Sequence, residues 1–105
     1  MTYAVRYYND VTKEVFRAEE INIDRIDNRT FKRIVGVLFE EAGESYMNRS
    51  LFADVYPCDV DKLKDIPINS LGLLTIACET TTDGETIDAH IFVNSCHVRN
   101  MNIAC

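Results

Sequence analysis

The sequence predicts a single α+β domain spanning residues 1–105, in which an antiparallel sheet of about five strands, arranged as two hairpins, packs on one central amphipathic helix. Three observations carry that prediction. Residues 27–43 hold an apolar stripe at helical spacing, the opening residues alternate with the period of a strand, and two further alternating segments flank a glycine-containing turn at Gly84. At 105 residues and 47% hydrophobic, the chain suits one core rather than two.

The opening TYAVRYYN sets Tyr3, Val5 and Tyr7 against Ala4, Arg6 and Tyr8, as a half-buried strand does. Asn9 and Asp10 then supply turn chemistry. Residues 14–23 form the returning strand. Their apolar parity shifts from Phe16 and Ala18 to Ile21 and Ile23, which marks Glu19 and Glu20 as a bulge or the strand's end.

The helix follows. Phe31, Ile34, Val35, Leu38 and Ala42 recur at i, i+3, i+4 and i+7, with Phe39 on the flank. Asp27 or Asn28 caps the first turn, and Gly43 is placed to end the helix in a left-handed conformation. Burying the four large residues at the centre of the stripe contributes on the order of 10 kcal/mol of gross driving force. Beyond Gly43, a strand is expected over residues 51–56, with Asp59 or Asp61 capping a short turn through Leu63 that Pro67 stops. Residues 73–79 and 85–93 read as the second hairpin around Thr81, Thr82, Asp83 and Gly84. Residues 97–104 add an edge strand whose asparagines keep one side wet.

The polar side of the helix runs against its own dipole. Arg29, Lys32 and Arg33 occupy the first turns and Glu40 and Glu41 the last, each at a cost of about 0.3–1 kcal/mol when exposed. Gly36 costs a further ~1 kcal/mol relative to Ala. Arg29, Arg33, Gly36 and Glu40 fall along one stripe opposite the core face and form one candidate contact surface. The alternative is a solvated face whose arginines pair with Asp24, Asp27 or acids on another element. Arg25, Arg29, Lys32 and Arg33 form a second candidate, a cationic cluster at a helix N-terminus suited to a phosphate or nucleotide.

Net charge is −6, from 17 acids and 11 bases, and residues 51–105 are the acidic half. That field disfavours direct nucleic-acid binding, which relies on Lys and Arg to displace phosphate counterions, and suits a basic protein surface. Glu79, Asp83, Glu85 and Asp88 around the second hairpin form the third candidate surface, an acidic one. No long apolar run or basic N-terminal region precedes a hydrophobic stretch, so a cytoplasmic location without membrane insertion is expected, and the Asn28 and Asn48 glycosylation triplets are chance matches.

No cofactor and no metal are expected. Cys58, Cys78, Cys96 and Cys105 lie far apart without a close ligand pair, and Cys78 belongs to an apolar strand as a small core residue. Cys96 and His97, adjacent in an extended strand, point to opposite faces and make no dyad. Asp88 and His90 share a face, but an open sheet face offers neither pocket nor oxyanion donors, so catalysis is not expected. The acidic turn at Asp83 and Glu85 is too short for a calcium loop.

In size, acidity and absence of catalytic motifs the chain resembles, in type only, the small α+β proteins of phages and mobile elements, many of which bind and block a host enzyme. The expected function is a protein-binding module, an inhibitor of a host nucleic-acid-handling or defence enzyme. The alternatives are a binder of a small anion or nucleotide and a self-associating structural subunit.

Overall fold

The computed structural model describes residues 1–44, 50–68, 70, 72–80, 86–94 and 96–104. In chain order these form β1 (Thr2–Asn9), β2 (Val15–Asn22), α1 (Asn28–Glu44), β3 (Ser50–Tyr56), a 3₁₀ helix (Val60–Asp65), β4 (Leu74–Thr80), β5 (Thr86–Val93) and β6 (Cys96–Ala104). The strands make one antiparallel sheet of six, in the order β2-β1-β3-β4-β5-β6. β2 and β3 therefore flank β1, and α1 carries the chain across β1 from one side to the other.

Alternation in β1 sorts the two faces. Tyr3, Val5 and Tyr7 join Leu51, Ala53, Val55, Leu74, Ile76, Cys78, Ala89 and Ile91 in a core closed by Ile34, Val35 and Leu38 of α1. Phe31, Val37 and Phe39 pack at its margin. The helix stripe thus covers the face its spacing predicts. Asp27 caps it, with Oδ1 accepting from the Thr30 amide at 2.8 Å. α1 continues through Gly43 to Glu44, so Gly43 is a helical residue and not the stop. A glycine penalty of about 1 kcal/mol is too small to break a ladder anchored by a buried stripe.

β2 departs from expectation in one place. Glu19 and Glu20 pair regularly with Val5 and Ala4, and the irregularity falls instead between the Tyr7–Arg17 and Tyr8–Val15 pairs. Phe16 is the extra residue, and its ring lies 6.1 Å from that of Tyr7. Packing this phenylalanine on the core resets the parity that made Glu19 look like a break. Glu19 then faces the helix side of the sheet and binds both Arg17 and Arg33.

The face away from α1 is partly covered by the β3–β4 connection. Leu63 packs on Ala4 and Tyr56 as a second small core, with Cys58, Val60 and Ile66 beside it. Asp59 stands at the N-cap of the 3₁₀ helix without a side-chain cap bond. Glu20 of β2 supplies the acceptor, taking the Val60 amide at 3.0 Å. Gly72 closes the connection against β3, where a Cβ would lie 2.3 Å from the Val55 carbonyl oxygen. The expected turn through Thr81–Gly84, with Asp83 and Glu85, and Cys105 lie outside the described residues.

Candidate functional site

α1 starts at the end of the sheet where β1 begins, β4 begins and β5 ends. There the segment Arg25–Phe31 stands apart from β4, β5 and β6, leaving a groove of ≈ 500 Å³. Tyr3, Ile26, Phe31, Leu74 and Ile91 line its apolar interior, while Arg25, Asp27 and Asn28 lie along its polar side. Leu73, Val93 and Val98 complete the lining, at 38%, 40% and 58% exposure. These are three of the six large apolar side chains exposed among the described residues. Single exposed apolar residues are ordinary; three converging on one groove are not.

A second bulge places Val98. β5 and β6 pair regularly through Ile91 and Arg99, then slip so that Phe92 faces His97 and Val93 faces Cys96. Val98 is the residue left over, and it lies against the groove. Neither Val98 nor the groove is visible to periodicity, because both depend on how two segments pair across the sheet.

The candidates named from sequence separate onto opposite sides of the molecule. Arg29, Gly36 and Glu40 are exposed on the outer face of α1, and no atom lies within 4 Å of a Cβ built on Gly36. Arg33 forms an ion pair with Glu19 of β2. Glu79 and Asp88 are direct cross-strand partners between β4 and β5, and their alternation with core residues Cys78 and Ala89 puts them on the face away from α1. The helix stripe and the acidic strands therefore cannot act as one contact surface.

The cationic cluster is divided as well. Arg25 lines the groove while Arg33 turns to Glu19. The helix N-terminus is occupied by Asp27, whose carboxyl is held below the usual range chiefly by the Thr30 amide, with Arg29 adding a smaller effect. An incoming phosphate would meet a carboxylate already on the first-turn amide.

The helix-free face carries a buried polar cluster that sequence reasoning did not single out. Arg6 donates from Nη1 to the carbonyls of Leu63 (3.0 Å) and Ile66 (2.7 Å), and from Nη2 to that of Pro67 (3.0 Å) and to the Tyr56 hydroxyl (3.3 Å). Tyr56 in turn donates to the Ser70 carbonyl. Burial, reinforced by the charge of Asp54, pushes the Tyr56 hydroxyl up to about 12. Asp54 is fully buried; its Oδ1 accepts from the Thr75 hydroxyl at 2.7 Å, and Oδ2 makes no hydrogen bond. Burial raises its pKa, opposed by the hydroxyls of Thr75 and Tyr8 and by the Arg6 charge. The signal was Arg6 in a strand whose same-face neighbours, Ala4 and Tyr8, are apolar and buried. The cluster holds the β3–β4 connection in place, and its Arg6, Leu63, Ile66 and Pro67 also line a second groove of ≈ 440 Å³ on this face.

Cys78 is buried in the core, as its strand position predicts, and Cys58 and Cys96 are free thiols. Burial raises the Cys58 pKa. Among the described residues no helix is long and apolar enough to cross a membrane. Comparison with protein families, characterised proteins and solved structures finds no match for this chain.

Proposed function

We propose that this chain is a cytoplasmic protein-binding module, without catalytic activity of its own, and that the groove between the start of α1 and strands β4 to β6 receives its partner. The convergence of Leu73, Val93 and Val98 on one groove is the observation that supports this. A partner inserts an apolar side chain there, and Arg25, Asp27 and Asn28 fix its orientation by hydrogen bonds at the polar side. The net charge of −6 favours a partner that is basic around that contact, since complementary fields accelerate encounter. A nucleic-acid-handling enzyme, whose working surface is basic, is the target class this charge fits, and blocking such an enzyme is the role proposed. The outer stripe of α1 and the pair Glu79 and Asp88 then act on encounter rate, not on the held complex.

The test compares capture by crosslinking from the native host for the wild type, Val98→Asp and Arg29→Glu. A protein captured by the wild type and by Arg29→Glu but lost with Val98→Asp supports the proposal. Capture that survives Val98→Asp, or fails only with Arg29→Glu, refutes the groove. Sedimentation of the purified chain as a dimer that Val98→Asp dissociates would show a second copy in the groove and overturn the foreign-partner assignment.

A further inference from the structure

The chain has two histidines, and the fold brings them together on the face away from α1. His90 lies on β5 and His97 on β6, with ring centroids 5.7 Å apart. The bulge in β6 is the cause. Continued regular pairing would set His97 opposite Val93, on the helix side; the slip sets it opposite Phe92, on the side of His90. Its ring then rests 5.2 Å from that of Phe92. Ala77, the β4 partner of His90, leaves room beside the imidazole.

Both rings aim at one atom. His90 Nδ1 is 2.9 Å and His97 Nε2 is 2.6 Å from Asn100 Oδ1, and Asn100 is the direct cross-strand partner of His90. Because an amide oxygen only accepts, both nitrogens carry their proton in this arrangement.

We propose that His90 and His97, with Asn100 between them, form a binding site for a divalent transition-metal ion. The two imidazole nitrogens lie 2.9 and 2.6 Å from Asn100 Oδ1, a spacing that neighbouring donors around one small ion share, and imidazole is the protein ligand common to zinc, nickel and copper. In the bound form the ring proton sits on the other nitrogen, His90 Nε2 and His97 Nδ1, so the lone pairs of His90 Nδ1 and His97 Nε2 face the ion. Asn100 Oδ1 is the third donor. No group of three or more His, Cys, Asp or Glu side chains placed to hold a metal gathers among the described residues, so the proposed site is an open one with few protein ligands.

Two histidines give two sets of imidazole signals, which makes nitrogen-detected NMR of the whole chain decisive. Zinc chloride is the probe and magnesium chloride the comparison. The proposal predicts that zinc shifts both imidazoles in one saturable step while magnesium shifts neither. His90→Ala and His97→Ala should each weaken binding at least about tenfold, and Asn100→Asp, which puts a carboxylate at the third position, should tighten it about tenfold. Cys96→Ser should leave the affinity unchanged. The proposal is overturned if only one imidazole responds, if millimolar zinc moves neither, if a single-histidine variant binds like the wild type, or if Cys96→Ser abolishes binding.

Discussion

Arg6 is the strongest test of how the β3–β4 connection is held, because one side chain gathers four bonds at 2.7–3.3 Å. Arg6→Met keeps most of the buried stem and removes every donor. The Leu63 carbonyl and Tyr56 hydroxyl lie in buried contacts and lose a partner at about 1–2 kcal/mol each, while the Ile66 and Pro67 carbonyls are part-exposed and recover water. Asp54 also loses the nearby cation that opposes its burial, adding roughly 1 kcal/mol. The expected loss is about 3–5 kcal/mol, a large share of the roughly 5–15 kcal/mol that stabilises a domain. Arg6→Lys, with one compact ammonium in place of a planar fork, should lose about 2 kcal/mol. The chain has no tryptophan, so urea unfolding followed by far-UV circular dichroism is the assay. A loss under about 1 kcal/mol for Met, or wild-type stability for Lys, would refute the assignment of Arg6 as the clamp.

Four further outcomes follow from single residues. Gly36→Ala should stabilise the fold by about 0.5–1 kcal/mol in the same assay, since its Cβ meets nothing within 4 Å; destabilisation would mean the position is packed. Gly72→Ala should cost about 2–3 kcal/mol, because its Cβ would stand 2.3 Å from the Val55 carbonyl oxygen. Asp54 binds its proton more tightly in the fold than at its ordinary value of 3.8, so its contribution to stability falls as pH rises from about 4 through the folded pKa and then levels off. Asp54→Asn should remove that limb from the stability–pH curve, and an unchanged curve would contradict the buried carboxyl. Asp27, held low by its cap, acts in the opposite sense and loses its contribution as pH falls.

Local order was legible because burial on one side of an element writes its period into the chain. The helix stripe from Phe31 to Leu38 and the alternation of Tyr3, Val5 and Tyr7 both land on the core. The stop at Gly43 and the break at Glu19 did not hold, since each was inferred from local propensity where tertiary packing decides. Phe16 shows why: a bulge shifts parity, and only the partner strand reveals which residue is extra. Val98 repeats the lesson at the site, where one slipped pair sends a valine to the groove and a histidine to the opposite face. Arg33 illustrates the charges. Its acid is on β2, fourteen residues away in sequence, so the alternative of pairing with an acid on another element holds for Arg33, while which acid it is depends on the fold. The six-strand order β2-β1-β3-β4-β5-β6 likewise rests on long-range pairing that periodicity does not encode.

The groove as the partner-binding surface is tested most directly by hydrogen exchange on the chain with and without its captured protein. Binding as proposed slows exchange at residues 25–28, 31, 73–74, 91, 93 and 98, which line the groove, and leaves the outer turns of α1 around Gly36 unchanged. Protection confined to the α1 stripe, or to β4 and β5 around Glu79 and Asp88, would contradict it.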